Sequence, residues 1–189
     1  QIQNVGTLGG NVVNAMPAAD GSIALTALEA EAEIASPAGR QWLPLGQVFA
    51  RPGVCKIEPT AQILTGFRFR RLGRGAGSAF QRLSRRRALS LPVLNCGVVV
   101  RLNAAGDRVE RAAIALGPVA PVPFRAAAAE AYLAGAPATE ETLREAARRA
   151  QEGADPRSNP LRASSAYRRE MIAVLTRRAL EEALAAARH

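Results

Sequence analysis

The sequence predicts an α+β fold in which strands fill most of the chain up to about residue 118 and three helices follow. Two observations support this class. Segments that alternate apolar and polar residues recur between residues 31 and 116, and such alternation is typical of half-buried strands. Beyond Pro121 and Pro123 the composition changes to alanine-rich segments with helix caps at their ends.

The first predicted elements are a glycine-centred loop and a short helix. Gly9 and Gly10 lie in the loop, where the absence of a Cβ lets the backbone approach another group closely. Asp20 precedes the largely apolar segment of residues 23–29. We expect its carboxylate to cap that segment as a short helix, because it can accept from the unpaired amides of a first turn.

Four strands are predicted next, over residues 31–36, 41–45, 62–69 and 78–84. The first two flank a Pro-Ala-Gly turn and are expected to form a hairpin. Gly73, Gly75 and Gly77 are spaced like the start of a dinucleotide-binding fingerprint, but a strand follows them instead of a helix. We therefore interpret residues 70–77 as a hairpin loop.

The second half is predicted as a hairpin followed by three helices. Residues 93–102 and 109–116 are strongly β in character and are separated by turn residues. Helices are expected over residues 125–133, over 140–152 with Thr139 as N-cap, and from about Ser165 onward. A domain boundary is expected between residues 87 and 88.

The composition excludes several classes of site. Cys55 and Cys96 are the only cysteines and His189 is the only histidine, so neither a structural zinc site, an iron–sulfur cluster nor a Ser-His-Asp centre can be assembled. A disulfide between the two cysteines stays open. The low cysteine content predicts a cytoplasmic protein. No apolar stretch approaches the roughly 20 residues of a membrane span, and no signal peptide is expected.

The net charge of +9 comes almost entirely from arginine, since Lys56 is the only lysine. Arginine suits anionic partners, but a GC-rich genome, which encodes arginine wherever a solvated cation is needed, would give the same surplus. Residues 85–87 are all arginine, yet aromatic residues make up only 4% of the chain, which argues against a base-stacking nucleic-acid surface. We expect no nucleic-acid partner; a steep fall of binding with salt would indicate one.

Two stretches near the start carry a family resemblance when they are taken together. Residues 1–11 (QIQNVGTLGGN) and 17–20 (PAAD) resemble the hallmark of the flavoprotein subunits of molybdenum hydroxylases, the family of xanthine dehydrogenase and aerobic carbon monoxide dehydrogenase. The resemblance continues through residues 78–80, 113–121, 167–171 and 177–180. It covers essentially the whole chain.

The resemblance implies a domain layout and a cofactor. Residues 1–87 would form the second, antiparallel-sheet subdomain of a PCMH-type FAD-binding domain. Residues 88–189 would form a C-terminal domain of a small antiparallel sheet and a three-helix bundle. The first FAD subdomain, with its own glycine-rich phosphate loop, is absent from the sequence, which leaves three explanations: a fragment, a subunit split between two chains, or a remnant that has lost FAD.

The resemblance also assigns roles to individual residues. Asp20 would hydrogen-bond the flavin nucleotide, and Leu64 would line the pocket. The family usually has a lysine after the residue matching Phe80; here Gln81 and Arg82 follow, so Arg82 would keep the cation near the flavin with a different reach. The residues expected at the FAD phosphates and neighbouring groups are Thr7, Gly9, Gly10 and Asn11.

The implied partners are a large subunit with the molybdenum cofactor and a small subunit with [2Fe–2S] clusters. Electrons from these clusters would pass through FAD to an external acceptor, so the chain would belong to an oxidoreductase and would itself need no acid–base pair. The alternative is a flavin-less interaction module that uses the same fold to scaffold a multisubunit oxidoreductase.

Overall fold

The computed structural model describes residues 2–86 and 89–189. Short helices and strands fill the first half: α1 Ile2–Val5, α2 Leu8–Val13, α3 Asp20–Ala27, β1 Glu31–Ser36, β2 Gly39–Pro44, a 3₁₀ turn Leu45–Gln47, β3 Phe49–Arg51, β4 Val54–Cys55 and β5 Ile63–Arg68. Longer elements follow: β6 Ala76–Leu83, β7 Leu94–Leu102, β8 Val109–Gly117, β9 Phe124–Arg125, α4 Ala127–Leu133, α5 Glu140–Gly153 and α6 Ser165–Ala187. The α+β class with antiparallel sheets is confirmed.

The first sheet is three-stranded and antiparallel, in the order β2-β1-β5. The predicted β1–β2 hairpin is confirmed, with Glu33 opposite Trp42. Ala32 and Ile34 point to one face because strand side chains alternate, and both are buried. They pack in a small core with residues of α2, α3 and the segment around the 3₁₀ turn.

The second sheet is four-stranded and antiparallel, in the order β6-β7-β8-β9. The predicted β7–β8 hairpin is confirmed. Helices α4 and α6 pack on this sheet, and α5 packs on both helices. Residues of the sheet and of all three predicted helices form the larger core of the molecule.

The predicted hairpin between the strands now labelled β5 and β6 is wrong. β5 pairs with β1, whereas β6 pairs with β7 along its whole length, from Ala76 opposite Arg101 to Leu83 opposite Leu94. Residues 69–75 therefore connect two different sheets. The predicted domain boundary falls on residues 87 and 88, which lie outside the described part of the chain, and it stays a prediction.

β6 and α6 approach each other closely at Gly77. A Cβ on Gly77 would lie 2.1 Å from the Ala183 carbonyl oxygen and 2.5 Å from the Ala187 amide nitrogen. Only glycine allows this contact, because real Cβ atoms do not come within 3.0 Å of such backbone atoms.

Helix α3 contacts the small core and the second sheet. Leu25 is buried in the small core beside the first sheet, whereas Ile23 and Ala27 pack on Ala115 of the second sheet. Gly97 allows the helix to lie directly on β7, since a Cβ there would be 3.1 Å from the Ala27 Cβ. Helix α3 is thus held from two sides.

Candidate functional site

The Gly9–Gly10 pair lies in the first turn of a helix and not in a loop. Thr7 has extended backbone angles, φ −118° and ψ 152°, and its Oγ1 accepts a 2.9 Å hydrogen bond from the Gly10 amide. This is N-cap geometry. The low helix propensity of glycine favoured a loop, but the threonine cap stabilises a turn that the glycines alone would not form.

The first turn of α2 is open to solvent. Thr7 and Gly10 are exposed and Gly9 is half-buried. A Cβ on Gly10 would lie 3.0 Å from Thr7 Oγ1, and one on Gly9 would lie 3.4 Å from Leu64 Cδ2. Leu64, predicted as a pocket-lining residue, therefore lies beside the glycine pair.

Helix α2 is fixed to the start of α3 by Asn11. Its Oδ1 accepts from the Ser22 amide at 3.3 Å, and its side-chain nitrogen has no partner among residues 2–86 and 89–189. Gly21 makes the close approach possible, because a Cβ there would lie 2.6 Å from Leu8 Cδ1 and 2.8 Å from Asn11 Oδ1. Gly21 was not predicted as a site residue from the sequence, although its place directly after Asp20 was a usable signal.

The expectation that Asp20 caps helix α3 is wrong. Ala19 is the N-cap residue and makes no side-chain capping bond, and Asp20 is the first residue of the helix. The Asp20 carboxylate points away from the helix amides: its Oδ2 lies 3.1 Å from Arg82 Nε, and its Oδ1 accepts from Asn95 Nδ2 at 2.8 Å. Two donors outside the helix, the Arg82 guanidinium and the Asn95 amide, replace the capping interaction.

Arg82 reaches across from β6 and is held at three points. Besides Asp20, it donates to Ser84 Oγ at 2.9 Å and to the Ser90 carbonyl oxygen. The ion pair is partly exposed to solvent, so its contribution to stability is modest. Its main effect is to hold the guanidinium and the carboxylate side by side.

Asn95 is a site residue that was not predicted from the sequence. It is fully buried on β7, opposite Arg82 on one side and Gly117 on the other. Its Nδ2 donates a hydrogen bond to Asp20, and its Oδ1 is buried without a hydrogen-bond partner in the described part of the chain. The available signal was one amide in the otherwise apolar run of residues 93–100, since an isolated polar residue in a core needs a partner.

Phe80 and Arg82 share one face of β6, because side chains two residues apart point the same way. Their partners on β7 are Gly97 and Asn95, and α3 packs over Gly97. Phe80 is 37% exposed. An accessible aromatic ring therefore lies on the same side of the sheet as the Asp20–Arg82 pair.

The predicted site residues thus lie around the beginnings of α2 and α3. One group consists of Thr7, Gly9, Gly10, Asn11 and Leu64; the other is Asp20 with Arg82, joined by Asn95. The Asn11–Ser22 bond connects the two groups. What each residue binds stays a prediction.

Several other kinds of chemistry find no support in this geometry. Burial raises the pKa of the Cys96 thiol to about 12, so it is not a nucleophile at neutral pH. Within residues 2–86 and 89–189, no three His, Cys, Asp or Glu side chains gather as metal ligands. Over the same residues, every helix is too short or too polar to cross a bilayer.

Comparisons with known proteins agree with this picture. Residues 78–183 match the family of CO dehydrogenase flavoprotein C-terminal domains, and residues 1–69 match the family of FAD binding domains in molybdopterin dehydrogenase. The xanthine dehydrogenase FAD-binding subunit of Escherichia coli O157:H7 is 31% identical over 188 residues, which are 99% of this chain and 63% of the relative. The carbon monoxide dehydrogenase medium chain of Hydrogenophaga pseudoflava is 29% identical over 98% of this chain and 63% of its own length.

Solved structures give the same result. Carbon monoxide dehydrogenase from Hydrogenophaga pseudoflava, in a form that lacks the Mo-pyranopterin moiety of its molybdenum cofactor, superposes with a TM-score of 0.90 at 31% identity over 98% of this chain and 63% of that one. Quinoline 2-oxidoreductase from Pseudomonas putida 86 gives 0.88 at 26% identity over 100% of this chain and 64% of that one. The chain thus spans less than two thirds of the relatives that it matches. It belongs to the family of FAD-binding flavoprotein subunits of molybdenum hydroxylases.

Proposed function

We propose that this chain provides one side of an FAD site in the electron-transfer flavoprotein of a molybdenum hydroxylase. The observation that carries the proposal is the open first turn of α2, with its paired glycines, lying next to the fixed Asp20–Arg82 pair. In this role the chain holds FAD between [2Fe–2S] clusters on a small partner subunit and an external acceptor. The molybdenum cofactor would lie on a large partner subunit.

Donors at the start of α2 fit phosphate oxygens. The Thr7 hydroxyl accepts from Gly10 through its oxygen, which leaves its own hydrogen free to donate. The Gly9 amide lies in a first helical turn, where backbone N–H groups lack partners within the helix. The Asn11 side-chain nitrogen adds a third donor. Because glycine has no Cβ, a phosphate can reach these donors directly.

Apolar side chains fit the flat, less polar parts of a dinucleotide. Leu64 lies beside Gly9 and is half-buried, so it can form a wall of the pocket next to the phosphate donors. Phe80 exposes its ring on the same face as Arg82. Aromatic rings pack favourably on one another in offset or edge-to-face geometry, so Phe80 suits contact with a ring system.

The Asp20 carboxylate fits the recognition of a hydroxyl or an N–H group. It accepts one bond each from Arg82 and Asn95, and an ionised carboxylate has further acceptor positions. The two donors fix its orientation before a ligand arrives, which lowers the entropic cost of binding. Arg82 keeps a positive charge beside the carboxylate and offsets part of the negative charge at the site.

Bound FAD would supply the redox chemistry, and this chain would supply placement and electrostatics. Thr7, Gly9 and Asn11 hold the phosphate end, Leu64 limits access of water on one side, and Asp20 with Arg82 orients the nucleotide. The chain's own residues transfer no proton in this scheme.

The other side of the cleft is proposed to come from an N-terminal FAD subdomain. The chain spans about 63% of the length of the relatives that it matches, and one open surface cannot enclose a dinucleotide. We propose that this subdomain lies either on the same polypeptide or on a separate chain. We also propose the division into a flavin-binding unit, residues 1–87, and a C-terminal unit, residues 88–189.

The test is the flavin content of the complete purified protein carrying Thr7→Val or Thr7→Ser. The valine variant removes the hydroxyl, and loss of a hydrogen bond to a charged group costs about 1.5–3 kcal/mol, so FAD affinity should fall by roughly 10-fold to 100-fold. The serine variant keeps the hydroxyl and should retain FAD. Thr65→Val, at an exposed strand position on β5, is the matched control.

The outcomes separate the two candidate functions. A yellow protein whose flavin is lost in Thr7→Val alone supports the FAD site. A colourless but intact complex of wild-type subunits contradicts it and supports the flavin-less interaction module instead.

A further inference from the structure

A concave cleft lies between the two sheets, at the end of α3 opposite to Asp20. Its volume is about 590 Å³, within the range of about 300–1,000 Å³ that small-molecule sites occupy. The end of α3 and residues 68–72 form its walls, and β7 and β8 form its floor. We call it the arginine cleft, after the arginines that line it: Arg68, Arg70, Arg71, Arg101 and Arg111.

The floor of the arginine cleft presents two guanidinium groups. Gly97 faces α3, and residues an even number of positions apart on a strand point to the same side, so Arg101 also points to the side of α3. Its neighbour Val100 is buried in the larger core on the other side. Arg111 is the cross-strand partner of Arg101 and reaches Glu29, just beyond the end of α3. Both arginines therefore lie on the cleft side of the sheet.

The Arg101–Arg111 pair lacks sufficient negative charge. Like charges directly opposite each other on neighbouring strands repel. Glu29 lies 2.6 Å from Arg111 Nη2, but it also lies 3.3 Å from Arg125 Nη2, so one carboxylate is shared between two cations. Arg101 makes no hydrogen bond or ion pair with any residue in the ranges 2–86 and 89–189. Its charge is therefore available to a ligand.

The linker between the sheets adds two more cations. Arg70 and Arg71 are exposed, and neither bonds to another residue of the described chain. Arg68 differs from them, because its Nε donates to Glu31 at 2.7 Å. Five arginines and two glutamates line the cleft, which gives it a surplus of three positive charges. Arg70, Arg71 and Arg101 have donors left for an anion.

Apolar side chains complete the arginine cleft. Phe69 lines it and is 51% exposed. Val99 and Ala113 are cross-strand partners that form an apolar part of the floor. An aromatic ring can pack on such surfaces. The cleft therefore combines room for a ring with arginines that suit phosphate oxygens.

We propose that the arginine cleft binds a nucleoside diphosphate, with its phosphates on Arg70, Arg71 and Arg101 and its base beside Phe69. A guanidinium pairs with two phosphate oxygens at once. A diphosphate is a polyanion, so it can neutralise a surplus that a single carboxylate cannot. This site is separate from the proposed FAD site, because the eight residues of α3 span about 12 Å between them. Bound ligand would also relieve the repulsion between Arg101 and Arg111.

The experiment is isothermal titration of the complete purified protein with guanosine diphosphate in the presence of excess FAD, with thermal unfolding measured in parallel. FAD contains no guanine and keeps its own site filled. Guanosine diphosphate should bind saturably and raise the Tm. Arg101→Gln should weaken this binding by about 10-fold to 100-fold, the loss expected for a hydrogen bond to a charged group. Its Tm without ligand should not fall, because the repulsion with Arg111 is removed.

Arg74→Gln is the matched control, because Arg74 is an exposed arginine of the same linker that does not line the cleft. It should bind guanosine diphosphate like the wild type, and so should Thr7→Val, which separates this site from the proposed FAD site. Arg71→Gln should weaken binding in the same direction as Arg101→Gln, and it serves if that variant fails to fold.

Inorganic pyrophosphate tests the contribution of the base. It should bind the wild-type protein more weakly than guanosine diphosphate does, and Phe69→Ala should reduce that difference. Absence of saturable guanosine diphosphate binding, unchanged binding in both Arg101→Gln and Arg71→Gln, or equal affinities for pyrophosphate and guanosine diphosphate would overturn the proposal.

Discussion

Substitution of Gly77 by alanine tests the close packing of β6 on α6. The new Cβ would lie 2.1 Å and 2.5 Å from two backbone atoms of α6. Neither atom can rotate away as the end of a side chain can, so the strand and the helix must move apart. Helix α6 packs along both β6 and β7, and a shift would disturb the larger core.

The expected cost follows from overpacking data. Extra methylene groups in a well-packed core cost about 1–3 kcal/mol of stability. Because the new Cβ would clash with backbone atoms of α6, we expect the upper end of this range, about 3 kcal/mol. A chain of 150–250 residues loses about 2–4 °C in Tm for each kcal/mol. The Tm of Gly77→Ala should therefore fall by about 6–12 °C. Because β6 also carries Phe80 and Arg82, the proposed FAD site should weaken as well.

The assay is thermal unfolding of the complete protein, with Gly66→Ala as the control. Gly66 also lies in a strand, β5, but a Cβ there would meet no atom within 4 Å. Alanine is roughly 0.5–1 kcal/mol more favourable than glycine in a strand interior, so the control should be neutral or slightly stabilising. Equal Tm values for the two variants would refute the backbone contact between β6 and α6.

Three further predictions concern other parts of the fold. Iodoacetamide at pH 8 should label the half-buried Cys55 well before Cys96, and rapid labelling of Cys96 in the native protein would contradict this. Burial raises the pKa of the Cys96 thiol from 9.0 to about 12. The contribution of the neutral thiol to stability is therefore complete below pH 9 and is lost as the pH rises toward 12. The pKa of the Glu145 carboxyl is lowered from 4.5 to about 2, first by a hydrogen bond from Arg148, so its contribution to stability is present above pH 4.5 and is lost as the pH falls toward 2. Glu145→Gln should flatten the dependence of Tm on pH in that window, and an unchanged dependence would exclude the effect. Thr139→Ala removes the N-cap of α5 and should cost about 1 kcal/mol in urea unfolding, whereas Thr139→Ser should retain stability; equal losses in both would show that the cap contributes nothing.

The sequence predicted the elements whose stability is local. The β7–β8 hairpin follows from alternating apolar residues on either side of a turn, and both strands form within a residue or two of their predicted bounds. Helix α5 begins directly after its predicted N-cap, Thr139, and ends at Gly153. In these segments neighbouring residues supply both the pattern and the caps, so no distant contact is needed to define them.

Elements that depend on distant partners were predicted less well. Asp20 looked like a helix cap because only its neighbours in the chain could be considered, but Arg82 and Asn95 compete for the same carboxylate from positions far along the chain. The pairing of β6 with β7 instead of β5 has the same origin. Alternation predicts that a strand exists, whereas the choice of its partner depends on which faces the whole fold can bury.

The predicted site residues came from the family resemblance more than from physical patterns. A glycine pair or a single aspartate is too common to indicate a cofactor. The structure adds Gly21 and Asn95, which support Asn11 and Asp20 without being exposed themselves. Such supporting residues carry weak sequence signals because their importance lies in what they contact.

The double packing of α3 limits how this protein can be recombined with its relatives. Leu25 needs the small core, and Ile23 and Ala27 need the second sheet, so a chimera joined between the two halves would place this helix on a surface that had not evolved with it. Any mismatch there would tilt the helix and move Asp20 at its first residue. Exchanges between family members should therefore keep α3 together with both β7 and the first sheet.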